Sequence, residues 1–440
     1  MQKILSQKTI IYLILVLTLQ AGVFSQSSPF LTRPESDFKF PESYEIRQKL
    51  ESWIHAPVNE ARAASMGVFR QSSDGSMVRV RTEDTTAFFY QLFLIEEDYS
   101  YPVARRGNFV IKRESNDGSF LQVKIFLRDD PGSFLRIFPY GERTVLDGYL
   151  LGKKIYGNIV LPLTISQVFT SPLEHVMEMT SARIDWSVYD APPPASLSRN
   201  KIDVMNQIRR EIDRLYDCDD GAMDADGNYV YIETLKAQET TPGGFNCSGF
   251  VKWIADGFVL PITGELMDID SLKLKHPGIR GNSWSEFSEE ARDPFFGLDW
   301  TRNIALTLAA LRGESGITLR TENGPGSFES ADVREVPFFS YAEDIGWGVA
   351  DLEPILYLLA KSEPGNFYIG SFNISYGEDQ VLRQHTHVAA LFPYFSALGE
   401  FKVAVFERNK ETSLDSLNAR YANDFVHLVR IQTKGEFQLP

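Results

Sequence analysis

The chain has 440 residues, 43% of them hydrophobic, and sets 59 acidic against 44 basic side chains for a formal charge of −15. That length predicts two or three domains with cores of their own. The acidity argues against nucleic-acid or anionic-membrane partners, whose phosphates attract Lys and Arg.

At the start, Lys3 and Lys8 precede an apolar run from Ile10 to Leu19, and Val23-Phe24-Ser25 fits a cleavage site. The pattern predicts a secretory signal over residues 1–25, cleaved after Ser25, and export to the periplasm or the extracellular space. Cleavage would remove two lysines and no acids, taking the charge to −17. The run is short for a membrane span; an uncleaved N-terminal anchor is the competing reading. No later stretch is long and apolar enough to cross a bilayer. Two cysteines are too few for a disulfide framework in an exported chain of this size.

Residues 26–40, polar with scattered Pro and Phe, read as a flexible leader. Residues 41–189 read as a β-rich domain introduced by a short helix. Pro41 opens that helix, and Ile46, Leu50, Trp53 and Ile54 share one face. From about Met77 to Ser181 the pattern is of strands. Leu121, Val123, Ile125 and Leu127 alternate, and Asn116-Asp117-Gly118-Ser119 predicts a hairpin turn back to Phe109-Val110-Ile111. Asp130-Pro131-Gly132 predicts the next turn, and Gly141, Gly152 and Gly157 punctuate further strands. Phe88 to Phe93 reads as a central strand buried on both faces. Nothing in this domain indicates its role.

Asp190-Ala191-Pro192-Pro193-Pro194 opens a Pro-rich linker, 190–198, expected to be a stiff spacer. A second domain follows over 199–440. Its first helix, about Arg199 to Tyr216, places Ile202, Met205, Ile208, Ile212 and Leu215 on one face. Asp224, Asp226, Gly227 and Glu233 sit at calcium-loop positions, but Ala222 stands where the first ligand belongs, so a solvated turn is expected instead. Residues 258–350 are rich in turns and hold Trp284, Trp300 and Trp347, with one helix near Trp300 to Arg312. Asp351 is placed to cap a helix through Lys361. Strands are expected at 366–369, 387–392, 401–406 and 425–431, with Pro393 to Glu400 as a hairpin loop.

Cys247 is the residue with the sharpest chemistry. A Gly243-Gly244 turn leads to it, and a helix should start there and end in a left-handed cap at Gly257. A thiol at a helix N-terminus faces free N–H groups and the positive end of the helix dipole, which favours the thiolate. A buried, inert cysteine is the competing reading, and a disulfide with Cys218 would make it structural. Catalysis would need a base and a group to orient it. Among six histidines, His387 opens a strand of the C-terminal sheet; His385, two residues earlier, should point to the same face. The two could hold zinc with an acidic residue, but no HExxH and no second ligand pattern supports a metal site.

Gly244-Phe245-Asn246-Cys247-Ser248-Gly249-Phe250-Val251 resembles the Asp-Cys-Ser-Gly-(Phe/Leu)-Val signature of the NlpC-type cell-wall peptidases, a papain-like family. Glu363-Pro364-Gly365-Asn366-Phe367-Tyr368-Ile369 resembles that family's Pro-Gly-Asp strand entry, and His387-Val388-Ala389-Ala390-Leu391 resembles its His-Val-Gly strand. The resemblance covers roughly residues 200–432. It implies an α+β fold in which a Cys-bearing helix packs on an antiparallel sheet carrying His, with 258–350 as a large insertion. It also implies a hydrolase that cuts amide bonds in peptidoglycan stem peptides without a cofactor. Cys247 would be nucleophile and His387 the proton shuttle. Glu407, or less directly Asn409, would orient the imidazole. Tyr229 or Tyr231 and the Cys247 N–H would serve the oxyanion, with Asn246, Ser248 and His385 nearby for substrate. Asn246 stands where the family has aspartate, and the family's Tyr-x-Trp-Gly-Gly stretch is not recognisable. A non-catalytic envelope scaffold on the same fold, and a thiol acyl-hydrolase or amidase with another substrate, are the alternatives.

Overall fold

In the computed structural model, residues 40–64, 66–276, 293–313, 331–376 and 382–440 are described. The expected signal, nearly all of the leader, and Trp284 lie outside them. The chain is mixed α+β, with a large antiparallel sheet in its first half and helices with a second antiparallel sheet in its second.

Three short helices, α1 (Tyr44–Lys49), α2 (Glu51–His55) and α3 (Val58–Ala63), precede an eight-stranded meander. Its strands are β1 (Val68–Arg70), β2 (Met77–Asp84), β3 (Phe88–Ile95), β4 (Phe109–Glu114), β5 (Phe120–Phe126), β6 (Phe134–Tyr140), β7 (Arg143–Leu150) and β8 (Lys153–Leu161). Each pairs with the next, as short hairpin turns dictate. The predicted turns at 116–119 and 130–132 fall between strands. Gly157 does not: it lies inside β8. Nor do strands continue to Ser181. Helices α4 (Ile165–Phe169) and α5 (Leu173–Thr180) follow, because Thr164 and Gln167 form a capping box and Leu173, Val176 and Thr180 recur at helical spacing. The first helices and α4 cover one sheet face: Trp53 packs edge-on against Phe93, and Phe120 against Phe169.

The approach to the Pro-rich segment is tied down. Tyr357 Oη donates to the Val188 carbonyl at 3.0 Å, and Lys361 Nζ to those of Ser187 (2.5 Å) and Asp190 (3.3 Å). Arg128 donates to Tyr357 Oη at 2.6 Å. Residues Phe38–Pro440 accordingly form one compact unit.

Helix α6 (Arg199–Glu211) and the small hairpin β9 (Gly221–Met223) and β10 (Tyr229–Tyr231) lead to α7 (Cys247–Thr263). Asp224 accepts the Asp226 and Asn228 N–H groups, an ordinary acidic turn. Helix α7 runs past Gly257 and ends at Gly264, whose φ of 79° suits a left-handed cap. Gly257 is instead buried mid-helix, where Phe437 lies against it. After α8 (Ile269–Leu272), helix α9 (Phe296–Leu311) buries Trp300, Ile304 and Leu308 against α7 and the sheet. Much of the expected insertion is thus core. Asp351 gives α10 (Leu352–Ser362) no side-chain cap; it pairs with Lys153 at 2.8 Å.

The second sheet has the order β11-β16-β12-β13-β14-β15. Its strands are β11 (Trp347–Gly348), β12 (Asn366–Tyr376), β13 (Leu382–Phe395), β14 (Phe401–Glu407), β15 (Lys410–Thr412) and β16 (Phe425–Gln432), with α11 (Leu414–Tyr421) between the last two. Pro393 belongs to β13 rather than to the loop. It lies beyond Leu391, the last β13 residue paired with β12, so no ladder bond on that side is lost. Phe367, Ile369, Val388, Ala390, Phe392 and Phe406 line the face that receives α6, α7 and α9.

Candidate functional site

The segment before Cys247 is held by its backbone. The Phe245 N–H donates to Tyr216, the Cys218 N–H to Phe245, and the Asn246 N–H to Gly221. Asn246 then caps α7: its side chain accepts the Gly249 N–H at 2.8 Å. The cap does not use the N–H groups of Cys247 and Ser248, which face the cavity end of the helix. Both cysteines are free thiols.

Helix α7 brings Cys247 to the open edge of β13. Strand β14 pairs with β13 only from Ala390 onward, so among the described residues those before it have no strand neighbour on that side. There His387 and the Val388 N–H stand against the sulfur and favour its ionised form. His387, 7% exposed, donates from Nε2 to Glu407 Oε2 at 2.6 Å. Glu407 is 3% exposed. Its Oε1 accepts from Thr412 at 2.7 Å and from Arg420 of α11. The result is a chain from sulfur to imidazole to carboxylate to guanidinium.

Charge follows from this geometry. Burial opposes ionisation of Cys247, but the His387 bond and charge, the Val388 N–H and Ser248 outweigh it, and the thiol lies below its ordinary value. Burial likewise disfavours imidazolium, yet Cys247 and Glu407 on either side raise His387 to about 9. Glu407 falls to about 2, burial being overcome by His387 and Thr412. Both shifts act in the direction that favours a thiolate–imidazolium pair.

His385 corrects an expectation. A bulge puts Phe372 opposite His387 but Asn373 opposite His385, skipping Thr386. Adjacent residues point to opposite faces, so the two rings part and cannot share a metal ion. His385 Nδ1 meets Ser371 Oγ at 3.0 Å and Nε2 the Asp344 carbonyl at 2.9 Å. Burial lowers it to about 3, so it stays neutral.

A cavity of about 440 Å³ opens beside the sulfur, lined among others by Asn246, Ser248, Phe296, Gln384, His385 and Val388. Tyr229 and Tyr231 do not line it; Tyr229 packs its ring on Phe245 and against Gly243. Asn409 does not support the imidazole either. Its Nδ2 donates to the carbonyls of Tyr216 (2.9 Å) and Phe245 (3.3 Å) and to Asp217, bracing the approach to α7. Gln384, Arg420 and the Val388 N–H carry no sequence signal; only strand register and helix packing bring them here.

Fold and site together define an α+β protein with a partly buried thiol set against a buried imidazole–carboxylate pair of its second sheet. Residues 36–188, the first sheet with its helices, match the family model described as "Domain of unknown function (DUF8515)". The thiol array lies outside the matched stretch. No curated protein and no solved structure matches the chain.

Proposed function

We propose that this protein is an exported cysteine hydrolase of the NlpC, papain-like type, cleaving amide bonds in peptidoglycan stem peptides. The observation that carries the reading is His387 set between the Cys247 thiol and the Glu407 carboxylate it bonds at 2.6 Å, both of which favour its protonated form. The thiolate attacks the substrate carbonyl, forming a carbon–sulfur bond. Charge moves to the carbonyl oxygen, where the Cys247 and Ser248 N–H groups at the start of α7 are available as donors. Collapse expels the amine, which takes the His387 proton, and leaves a thioester. His387, now neutral, takes a proton from water, which hydrolyses the thioester and restores the pair. Glu407 stays ionised and keeps the ring oriented.

The test is mass spectrometry of muropeptides incubated with the purified protein and with Cys247→Ala. Cleaved stems from the first and none from the second support the reading. No cleavage by the parent protein, with Cys247 still rapidly alkylated, would move the activity to another acyl substrate.

A further inference from the structure

Gln384 is 6% exposed, stands opposite Ile374 in the β12–β13 register, and lines the cavity that holds Cys247. Its Oε1 is buried without a hydrogen-bond partner. A buried, unpaired carbonyl weakens a fold, and methionine would fill nearly the same volume without that cost. Polar neighbours on the cavity wall are already engaged: Asn246 caps α7, and His385 bonds Ser371 and Asp344. The unsatisfied atom is an acceptor, so what completes it must carry a donor. A neutral acceptor suits a neutral N–H. A cationic amine would meet Arg408 on the same wall, which faces Asp219 at 3.6 Å.

We infer that Gln384 is a substrate-binding residue that accepts an N–H from an amide-linked chain in this cavity, and thereby selects amides over esters. The inference rests on the hydrolase reading above and adds to it a residue that recognises the substrate's amide.

The experiment uses the full chain carrying Cys247→Ala, with and without Gln384→Met. A synthetic stem tetrapeptide and its depsipeptide analogues, each with one N–H replaced by oxygen, are titrated by calorimetry. With Gln384 present, one analogue should bind about 10-fold more weakly than the tetrapeptide, the size of one lost hydrogen bond. With Gln384→Met the two should bind alike, and the melting temperature should hold or rise. Equal binding of all analogues when Gln384 is present, or no peptide binding at all, overturns the inference. So does a lower melting temperature in Gln384→Met, which would make the residue structural. Peptide binding to Cys247→Ala without turnover by the parent protein would sink the hydrolase reading alone.

Discussion

His387 keeps its proton because Glu407 and Cys247 together outweigh its burial, and each contact has a measurable consequence. Replacing Glu407 by Gln removes the carboxylate but keeps the shape. Turnover of stem peptides should then fall by between about 10- and 10⁴-fold, as for an orienting triad carboxylate, and the alkaline limb of the pH–rate profile should move down. In the parent protein that limb should lie near pH 9, where His387 loses its proton. Alkylation of Cys247 by iodoacetamide should remain fast well below pH ~8.5, the ordinary thiol value; a midpoint at or above it would contradict the thiolate. Stability follows the same groups with opposite signs. His387 is raised, so its pairing stabilises the fold below ~6.5 and that contribution fades as pH climbs to about 9. Glu407 is depressed, so its contribution is complete above ~4.3 and is lost as pH falls toward about 2. Denaturant melts across these windows check both.

At the scale of elements, the thiol's position depends on how closely α7 approaches β9. A Cβ on Gly249 would stand 2.0 Å from the Gly221 carbonyl oxygen and 3.0 Å from Ala222 Cα, backbone atoms that cannot step aside. Gly249→Ala should therefore destabilise by about 1–3 kcal/mol, although alanine ordinarily favours a helix. It should also slow Cys247 alkylation, because the helix start must shift; an unchanged melting temperature would refute the close contact. A second pillar joins α9 to the sheet. Arg302 pairs with Asp332 at 2.7 Å, both side chains at 0% exposure, and His427 meets the same carboxylate at 3.3 Å. Asp332→Ala would remove the carboxylate shared by Arg302, Arg334 and His427, with Arg302 keeping Asp344 at 2.8 Å. It should cost about 3–5 kcal/mol in chemical denaturation.

For the whole molecule, the two sheets are joined through α10. Tyr357 is fully buried, accepts from Arg128 of the first half and donates to Val188. Such a joint predicts one cooperative calorimetric transition. Tyr357→Ala should lose about 3–5 kcal/mol and split that transition in two; two transitions in the parent protein would contradict the coupling. Among the described residues, no helix is long and apolar enough to cross a membrane.

Local features of this architecture were legible along the chain. The strand alternation at 121–127, the Asn-Asp-Gly-Ser turn and the helix beginning at Cys247 rest on interactions within a few residues, which sequence spacing encodes. Helix ends were less so. Gly257 carries the same glycine signal as Gly264, and only the passage of Phe437 beside it distinguishes a packing glycine from a cap. Residues 165–180 and Pro393 misled for a related reason, since a capping box or an unpaired strand margin decides them.

The order of Cys247, His387 and Glu407 was fixed by covalent sequence, and their residue types already limited the chemistry to a thiol with a base and an acid. Which side chains actually meet was decided by tertiary structure alone. One skipped residue, Thr386, turns His385 to the opposite face from His387. The early end of β14 opens the edge where the sulfur meets Val388, and α11 delivers Arg420 to Glu407. Gln384 meets the cavity by the same register. These are contacts between distant segments, set by bulges, strand ends and helix packing, for which no local pattern in the chain has to pay any energetic regard.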